Sequence, residues 1–175
     1  MISPRVAPPM IGVGLLEAID EADILALADP DDRDGDGISG RPNIVFSSES
    51  QKAALGRFGW KAGEPTIPQQ TAHAFANDIG LSSPLADAMW GDCTDAQAAC
   101  RAAPHGAETG ELEVPPQMFD LVNFYSRNLA VPARRDIDDP EVLRGKALFY
   151  GSGCTGCHRP KFVTRRDSLE PEQSF

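Results

Sequence analysis

The chain has 175 residues, enough for one domain, or one and a part, with a hydrophobic core of its own. Its formal net charge of −10 argues against a nucleic-acid partner, because phosphate binding needs clustered Lys and Arg. The composition combines 16 Gly, 15 Pro and 7% aromatic residues with no membrane-length apolar run, so it predicts a mainly α protein with long, turn-rich loops.

Two short helical elements are predicted first. Residues 5–19 are apolar but interrupted by Pro and Gly, which indicates an irregular buried segment or a short helix from about Gly12. Residues 20–23 have the pattern of a capping box with Asp in place of Glu. A two-turn helix is therefore expected to follow and to end near residues 29–30.

An acidic loop, residues 31–43, carries the first chemical signal. Carboxylates at alternate positions, a glycine at the sixth position and a carbonyl at the seventh suit calcium, a hard cation that prefers several oxygen ligands. The match is partial, because Asn43 stands where a bidentate Glu is usual, and an acidic turn without a metal is the alternative. The candidate calcium ligands are Asp32, Asp34, Asp36, Ile38 and Asn43.

A short extended piece is predicted at residues 44–46. Residues 56–63 (GRFGWKAG) are dense in glycine and aromatic residues, which suggests backbone passing close to something large and flat. Trp60 in this run is a candidate for an electron path or a porphyrin contact, although tryptophan more commonly packs in a core.

The clearest helix signal runs from Thr66 or Ile67 to Gly80, with Pro68 in the first turn. His73 lies on this helix and is a candidate sixth ligand to an iron. A lone helical histidine is more often a surface or hydrogen-bonded residue.

A further short helix is predicted from residues 82–84 to Trp90, and an exposed loop over residues 102–113. Between them lie Cys93 and Cys100, which most simply form a local disulfide if the other two cysteines bind haem. A four-cysteine zinc site is the alternative, but the wide spacing of this pair argues against it.

Residues 117–129 show helical spacing of apolar side chains. Met118 on that face is a candidate thioether ligand to a haem iron, though a methionine in such a stripe usually belongs to a core. The linker after the helix contains Arg134 and Arg135, which either hold haem propionates or are solvated. The apolar face consists of Met118, Leu121, Val122, Tyr125 and Leu129.

The last helix is predicted to begin after Asp139, its N-cap, and to end at Gly151 or Gly153. Immediately afterwards come Cys154, Cys157 and His158, whose C-x-x-C-H spacing is that of a c-type haem attachment site. Each thiol can add across one porphyrin vinyl group, and the adjacent imidazole can bind the iron. A thioredoxin-like redox pair or half of a zinc site is the alternative.

The order of helix, glycine break and C-x-x-C-H resembles the opening of a cytochrome c domain. In that comparison Gly145 would allow close helix packing, and Phe149 would lie near the haem edge. The resemblance therefore predicts an irregular helical region with long loops that leads into the start of a cytochrome c-like domain.

Several runs, in the same order, resemble the bacterial di-haem oxidoreductases, sometimes labelled thiol oxidoreductases and related to di-haem cytochrome c peroxidases. The runs are residues 5–8 with 10–19, 31–43, 56–61 (GRFGWK), 130–135 (AVPARR) and 153–158 (GCTGCH). The resemblance implies a mainly helical periplasmic enzyme with two covalent haems c. One haem would accept electrons from a small redox protein or a quinol-linked donor, and the other would react with peroxide or a similar small molecule.

This chain departs from that family pattern because it contains a single C-x-x-C-H. We therefore expect the first haem motif to lie before Met1 and the chain to be the middle of a larger enzyme. Residues 1–130 would be a helical inter-haem region, and residues 131–175 a linker with the first part of a haem domain. Covalent haem and a disulfide imply an oxidising compartment, although no signal peptide is visible. Two other functions remain open, a mono-haem electron carrier without catalysis and a non-haem zinc-binding or structural module.

Overall fold

A computed structural model describes residues 6–108 and 110–165. Arg5 of the family-like run and residues 166–175 of the predicted haem domain lie outside the described residues. The described part is mainly helix and loop, with one antiparallel two-stranded sheet. The helices are α1 (Val13–Glu17), α2 (Glu21–Leu25), α3 (Ile67–Ile79), α4 (Ala98–Arg101), α5 (Pro116–Asn128) and α6 (Pro140–Gly151), and the strands are β1 (Ile44–Ser47) and β2 (Lys52–Leu55).

The chain divides into two compact units, each built from separate stretches of sequence. Unit 1 contains residues 1–17 and 43–129, and unit 2 contains residues 18–42 and 130–175. Packing thus groups the acidic loop with the C-terminal stretch. The division into haem-related domains at residue 130 stays a prediction. Within the described ranges, no helix combines the length and apolar character that crossing a membrane requires.

Unit 1 is organised around α3, whose ends are where the capping signals predict them. The Thr66 hydroxyl accepts a hydrogen bond from the Gln69 amide at 3.3 Å, and Gly80 ends the helix in the left-handed conformation at φ 72°. Ala72 on this helix is fully buried and packs in the core with Val114 and Phe119. The core of unit 1 therefore combines small side chains such as Ala72 with large ones such as Phe119.

Helices α1 and α5 cross closely inside unit 1. A β-carbon at Gly14 would lie 2.1 Å from the Arg127 carbonyl oxygen, so only glycine permits this approach. The Gly12 amide donates to the Leu129 carbonyl at 2.9 Å, and the Arg127 guanidinium donates to the Glu17 carboxylate at 2.8 Å. These contacts hold residues 12–17 against residues 127–129, which lie more than 100 positions later in the sequence.

The β1–β2 hairpin confirms the extended piece at residues 44–46 and adds a strand that the sequence analysis missed. The buried Gln69 side chain on α3 accepts from the Ser48 amide and donates to the Phe46 carbonyl. Since β2 reads KAAL, with low strand propensity, its extended form depends on pairing with β1 rather than on its own sequence.

Unit 2 contains α2 and α6, each capped by an aspartate. Asp20 accepts from the Ala22 amide, and Asp139 accepts from the Glu141 amide at 2.7 Å, as predicted from the sequence. Helix α2 ends at Leu25, earlier than expected, because residues 26–29 continue as turns and the Asp29 amide donates to Gly40.

The helix predicted from residues 82–84 to Trp90 is wrong. Ser82 and Ser83 are fully buried, and the Ser83 and Ala86 backbones pair with each other in a tight turn. The Ser82 amide and hydroxyl both bond the Glu113 carboxylate, and its carbonyl accepts from the Val114 amide. Contacts with a segment thirty residues away thus override the local helix signal.

The face of α5 is also different from the expected core stripe. The helix buries Phe119, Asn123 and Ser126, whereas Met118 is 53% exposed and Leu121 is 64% exposed. Helix α5 packs against α1 and α3, and its buried face carries one aromatic and two polar side chains instead of the predicted apolar stripe.

Candidate functional site

The C-x-x-C-H segment forms a compact turn directly after α6. Gly153 adopts the left-handed conformation at φ 77°, and a short 3₁₀ helix then covers Cys154–Gly156. The Cys154 carbonyl accepts from the His158 amide at 2.9 Å. Both cysteines are free thiols, with Cys154 half-buried and Cys157 exposed, and His158 is exposed next to them. The turn therefore brings two free thiols and an imidazole together.

A groove of about 460 Å³ runs beside α6 in the same unit. Its volume lies within the range usual for ligand sites, about 300–1,000 Å³. The Phe149 ring that lines it is 6.0 Å from the His158 ring, measured between centroids. The groove is lined by Arg134, Ile137, Val142, Leu143, Gly145, Lys146, Phe149, Tyr150 and Pro160.

The residues present fit a c-type haem. All of α6 is exposed in the structure, including Leu143 at 49% and Phe149 at 39%, although large apolar side chains normally find cover. At Gly145 the position of a β-carbon is open, with no described atom within 4 Å, so the expected close helix packing is not found there. An apolar groove beside two thiols and a histidine is the chemistry that a covalently attached porphyrin needs.

The acidic loop brings three carboxylates together. One oxygen from each of Asp32, Asp34 and Asp36 lies within 4.8 Å of the others. The loop turns through Gly35 and Gly37 at positive φ, and the aspartates accept bonds from backbone amides within the loop. This arrangement leaves oxygens that can converge on a cation.

The other two predicted calcium ligands make contacts of their own. The Ile38 carbonyl accepts from the Gly40 amide at 3.2 Å. The Asn43 side-chain amide donates to the carbonyls of Lys61 and Ala62. Calcium coordination by all five residues stays a prediction.

The loop also contacts the C-x-x-C-H turn, a relation that the sequence analysis missed. A β-carbon built at Gly156 would lie 2.8 Å from Cδ1 of Ile38 and 3.5 Å from Oδ2 of Asp36. These residues are about 120 positions apart, and no periodicity links them, so sequence spacing offers no signal for the contact.

Cys93 and Cys100 form a disulfide with their Cα atoms 6.0 Å apart. Sulfurs bonded to each other cannot act as two thiolate ligands, so this arrangement gives no support to a four-cysteine zinc site. Helix α4 overlaps the end of the loop that they close. Just outside this loop, the Arg101 guanidinium lies 4.3 Å from the centre of the Trp90 ring.

His73 forms a pair with Glu64 in unit 1. Its Nδ1 lies 2.7 Å from the Glu64 Oε1, with His73 37% exposed and Glu64 20% exposed. The hydrogen bond to Glu64 raises the pKa of His73 above its usual value, against the opposing effect of burial. This histidine is therefore hydrogen-bonded, as the more common alternative in the sequence analysis anticipated, while a role as iron ligand stays untested.

Trp60 and Met118 do not occupy the core positions that their residue types favour. Trp60 is 69% exposed, and its indole N–H donates to the Val6 carbonyl at 2.8 Å, which ties the ring to the N-terminal segment. The close approach in its glycine-rich run is to the chain itself, because a β-carbon at Gly56 would lie 1.8 Å from the Ala62 carbonyl oxygen. Met118 is exposed on α5.

A comparison with known protein families assigns nearly the whole chain to one family. A family model described as "Di-haem oxidoreductase, putative peroxidase" matches residues 1–172. No curated protein and no solved structure matches the chain. The family match extends over the acidic loop, the glycine-rich run and the attachment turn, and it confirms the resemblance read from the sequence. This chain belongs to the di-haem oxidoreductase family.

Proposed function

We propose that this chain attaches a c-type haem through Cys154 and Cys157, with His158 as a ligand to its iron, and works as part of a peroxidase-like oxidoreductase. The observation that carries the proposal is the turn of two free thiols and an imidazole beside an exposed apolar groove. Family membership implies haem, and the thiols give the means of covalent attachment.

The residues around the turn have distinct tasks in this proposal. Cys154 and Cys157 would form the two thioether bonds, and the apolar side chains of α6 that line the groove would exclude water from the porphyrin. Arg134 and Lys146 line the same groove and supply positive charge for the haem propionates. When bound, the haem supplies one-electron redox chemistry, whose potential depends on ligation, burial and nearby charge.

The family description, "Di-haem oxidoreductase, putative peroxidase", supports peroxide reduction as the proposed reaction class. Reduction of hydrogen peroxide consumes two electrons and two protons and yields two water molecules. We propose a small redox protein or a quinol-linked donor as the electron source. We also propose that the haem-bearing unit completes a cytochrome c-like domain and that the enzyme works in the periplasm, since thioether attachment and the Cys93–Cys100 disulfide suit an oxidising compartment.

The first test is a pyridine haemochrome spectrum of protein produced in a host that attaches haem c. We expect a c-type band in the wild-type chain and its loss in the Cys154→Ser/Cys157→Ser variant. The Cys93→Ser/Cys100→Ser variant is the matched control, because it also removes two sulfurs but should retain the band. A colourless wild-type chain would overturn the proposal.

A second test separates the enzyme from an electron carrier. The haem-loaded chain, supplied with a reduced dye as electron donor, should consume hydrogen peroxide and oxidise two equivalents of a one-electron donor for each peroxide. Haem that is reduced by the dye but leaves peroxide unchanged would point to the mono-haem electron carrier instead.

We further propose that the acidic loop binds calcium in a structural role. The support is the convergence of Asp32, Asp34 and Asp36 at a glycine-rich turn. Isothermal titration calorimetry should detect calcium binding to the wild-type chain and its loss in Asp34→Ala. Asp23→Ala removes one carboxylate from α2 in the same unit and should leave the heat unchanged. Equal heats for both variants would reject the site.

A further inference from the structure

Residues 18–42 contact the C-terminal stretch of unit 2 at two places, one after the C-x-x-C-H segment and one within it. Ile19 pairs with Thr164 in an isolated β-bridge, and the Arg165 amide donates to the Ala18 carbonyl at 2.8 Å. The second place is the contact of Ile38 and Asp36 with the turn. The acidic loop therefore lies against the C-x-x-C-H segment at Gly156, and the chain before the loop pairs with the chain after that segment.

Gly156 makes this contact possible because it has no side chain. Gly156 does not have a positive φ, unlike Gly153 at 77°. The backbone conformation of the turn therefore does not by itself require glycine at position 156. Any β-carbon would approach Cδ1 of Ile38 to 2.8 Å. Gly156, the small residue within the C-x-x-C motif, therefore leaves space for the Cδ1 atom of Ile38.

The orientation of Asp36 directs charge toward the same turn. Its Oδ1 accepts from the Ile38 amide at 2.8 Å, and its Oδ2 is the oxygen near Gly156. Asp32 and Asp34 place two more carboxylates close by. The hydrogen bond from the Ile38 amide restrains the Asp36 carboxylate, so its negative charge stays near the turn.

We infer that the acidic loop contributes to the haem site. Ile38 positions the loop against the C-x-x-C-H turn, and Asp36 lowers the reduction potential of the haem. The inference rests on the proposed haem function. A negative charge near the iron favours the ferric state, because adding an electron to form the ferrous state reduces the positive charge that the carboxylate stabilises. The family description alone does not imply this tuning by a loop more than a hundred residues upstream.

The expected size follows from Coulomb's law. Two unit charges roughly 10 Å apart in water change an equilibrium constant by about twofold, and more where solvent is partly excluded. For one electron, a twofold change in the ratio of ferrous to ferric haem at fixed potential is about 18 mV. Salt should reduce the effect, because Asp36 is exposed.

The main test is a spectroscopic redox titration of the haem-loaded chain at low salt in calcium-free buffer, because Asp36 is also a candidate calcium ligand. Asp36→Asn should raise the potential by at least the equivalent of a twofold change in the ferrous-to-ferric ratio. Asp23→Asn removes the same charge from α2 and should change the potential less. An unchanged potential in Asp36→Asn, with an intact c-type spectrum, would overturn the inference while leaving the haem function standing.

A second measurement tests the positioning role without haem. Ile38→Val removes the Cδ1 carbon that touches Gly156 but keeps a β-branched side chain. In the apo protein, hydrogen exchange at the amides of residues 156–158 should accelerate severalfold in Ile38→Val, whereas Ile24→Val on α2 should leave it unchanged. Equal exchange in wild type and Ile38→Val would show that the contact does not order the turn.

The positioning role of Ile38 and the electrostatic role of Asp36 should also be coupled. In the haem-loaded Ile38→Val background, Asp36→Asn should change the potential by less than it does in the wild-type background, because the carboxylate is no longer held at the turn. Identical effects in both backgrounds would contradict the positioning role of Ile38. A chain that attaches no haem fails the haemochrome test first, so the two failures are distinguishable.

Discussion

At the scale of single residues, buried and half-buried polar groups hold unit 1 together as much as apolar ones do. Ile67, Ser82 and Ser83 are the largest side chains that are fully buried among the described residues. Glu113 accepts from the amides of Ser82 and Gly106, and these hydrogen bonds lower the pKa of Glu113. Losing one partner of such a pair leaves the other unsatisfied, so single polar substitutions should matter here.

The His73–Glu64 pair gives unit 1 a pH-dependent contribution to stability. The folded pKa of His73 is raised above its unfolded value of 6.5, so protonated His73 stabilises the fold. That contribution is complete below pH 6.5 and is lost as the pH rises through the folded pKa. Since His73 is 37% exposed, we expect only about 0.5–1 kcal/mol after solvent screening.

Urea unfolding at pH 5.5 and pH 8.5 measures this contribution. The difference in unfolding free energy between wild type and Glu64→Gln should be larger at pH 5.5 than at pH 8.5. His73→Gln should make stability less dependent on pH in the same interval. A wild-type advantage over Glu64→Gln that grows with pH would contradict the assigned sign.

At the scale of helices and strands, elements with local signals were predictable. The caps at Thr66 and Asp139 fixed the starts of α3 and α6, because a cap needs only a side chain and amides two or three residues away. Strand β2 and the turn at Ser82 were not predictable, since each depends on partners distant in sequence.

The candidate site shows the same division between features that local sequence predicts and features that depend on contacts distant in sequence. The C-x-x-C-H motif identified the thiols and the imidazole because their chemistry depends on adjacent residues. The contact of Ile38 with Gly156 arises only from tertiary packing, so sequence spacing gave no indication of it. The buried face of α5 was misjudged for a related reason, since the close crossing at Gly14 outweighs side-chain hydrophobicity.

Two helix glycines should respond oppositely to the same substitution. Gly14→Ala places a β-carbon 2.1 Å from the Arg127 carbonyl oxygen, a backbone atom. The clash should destabilise by about 1–3 kcal/mol, more than the gain of roughly 1 kcal/mol in helix propensity. Gly145→Ala meets open space in α6 and should stabilise the apo protein by up to about 1 kcal/mol.

Thermal unfolding followed by circular dichroism compares the two variants with wild type. The midpoint should fall for Gly14→Ala and should stay level or rise for Gly145→Ala. A rise for Gly14→Ala would mean that α1 can move away from α5 at little cost. A fall for Gly145→Ala in the apo protein would mean that α6 has a packing partner near that glycine.

At the scale of the whole molecule, the most informative feature is the apolar surface that the fold leaves uncovered in each unit. In unit 2, α6 exposes Leu143, Leu148 and Phe149, and in unit 1, α5 exposes Leu121 and Phe124. Leu143 and Phe149 line the groove beside α6, so haem bound in it would cover them, whereas Leu121 and Phe124 do not line that groove. The two helices therefore provide a comparison within a single molecule.

Haem attachment should protect α6 from proteolysis and leave α5 nearly unchanged. Thermolysin cleaves before large apolar residues, and cleavage in a helix requires local opening, which a bound group suppresses. We expect cleavage before Leu143, Leu148 and Phe149 to slow by roughly tenfold or more in the haem-loaded chain. Cleavage before Leu121 and Phe124 should change by less than about twofold. Mass spectrometry of timed digests gives both rates from one sample. Equal protection of both helices would indicate a general tightening of the protein, and no protection of α6 would place the haem elsewhere.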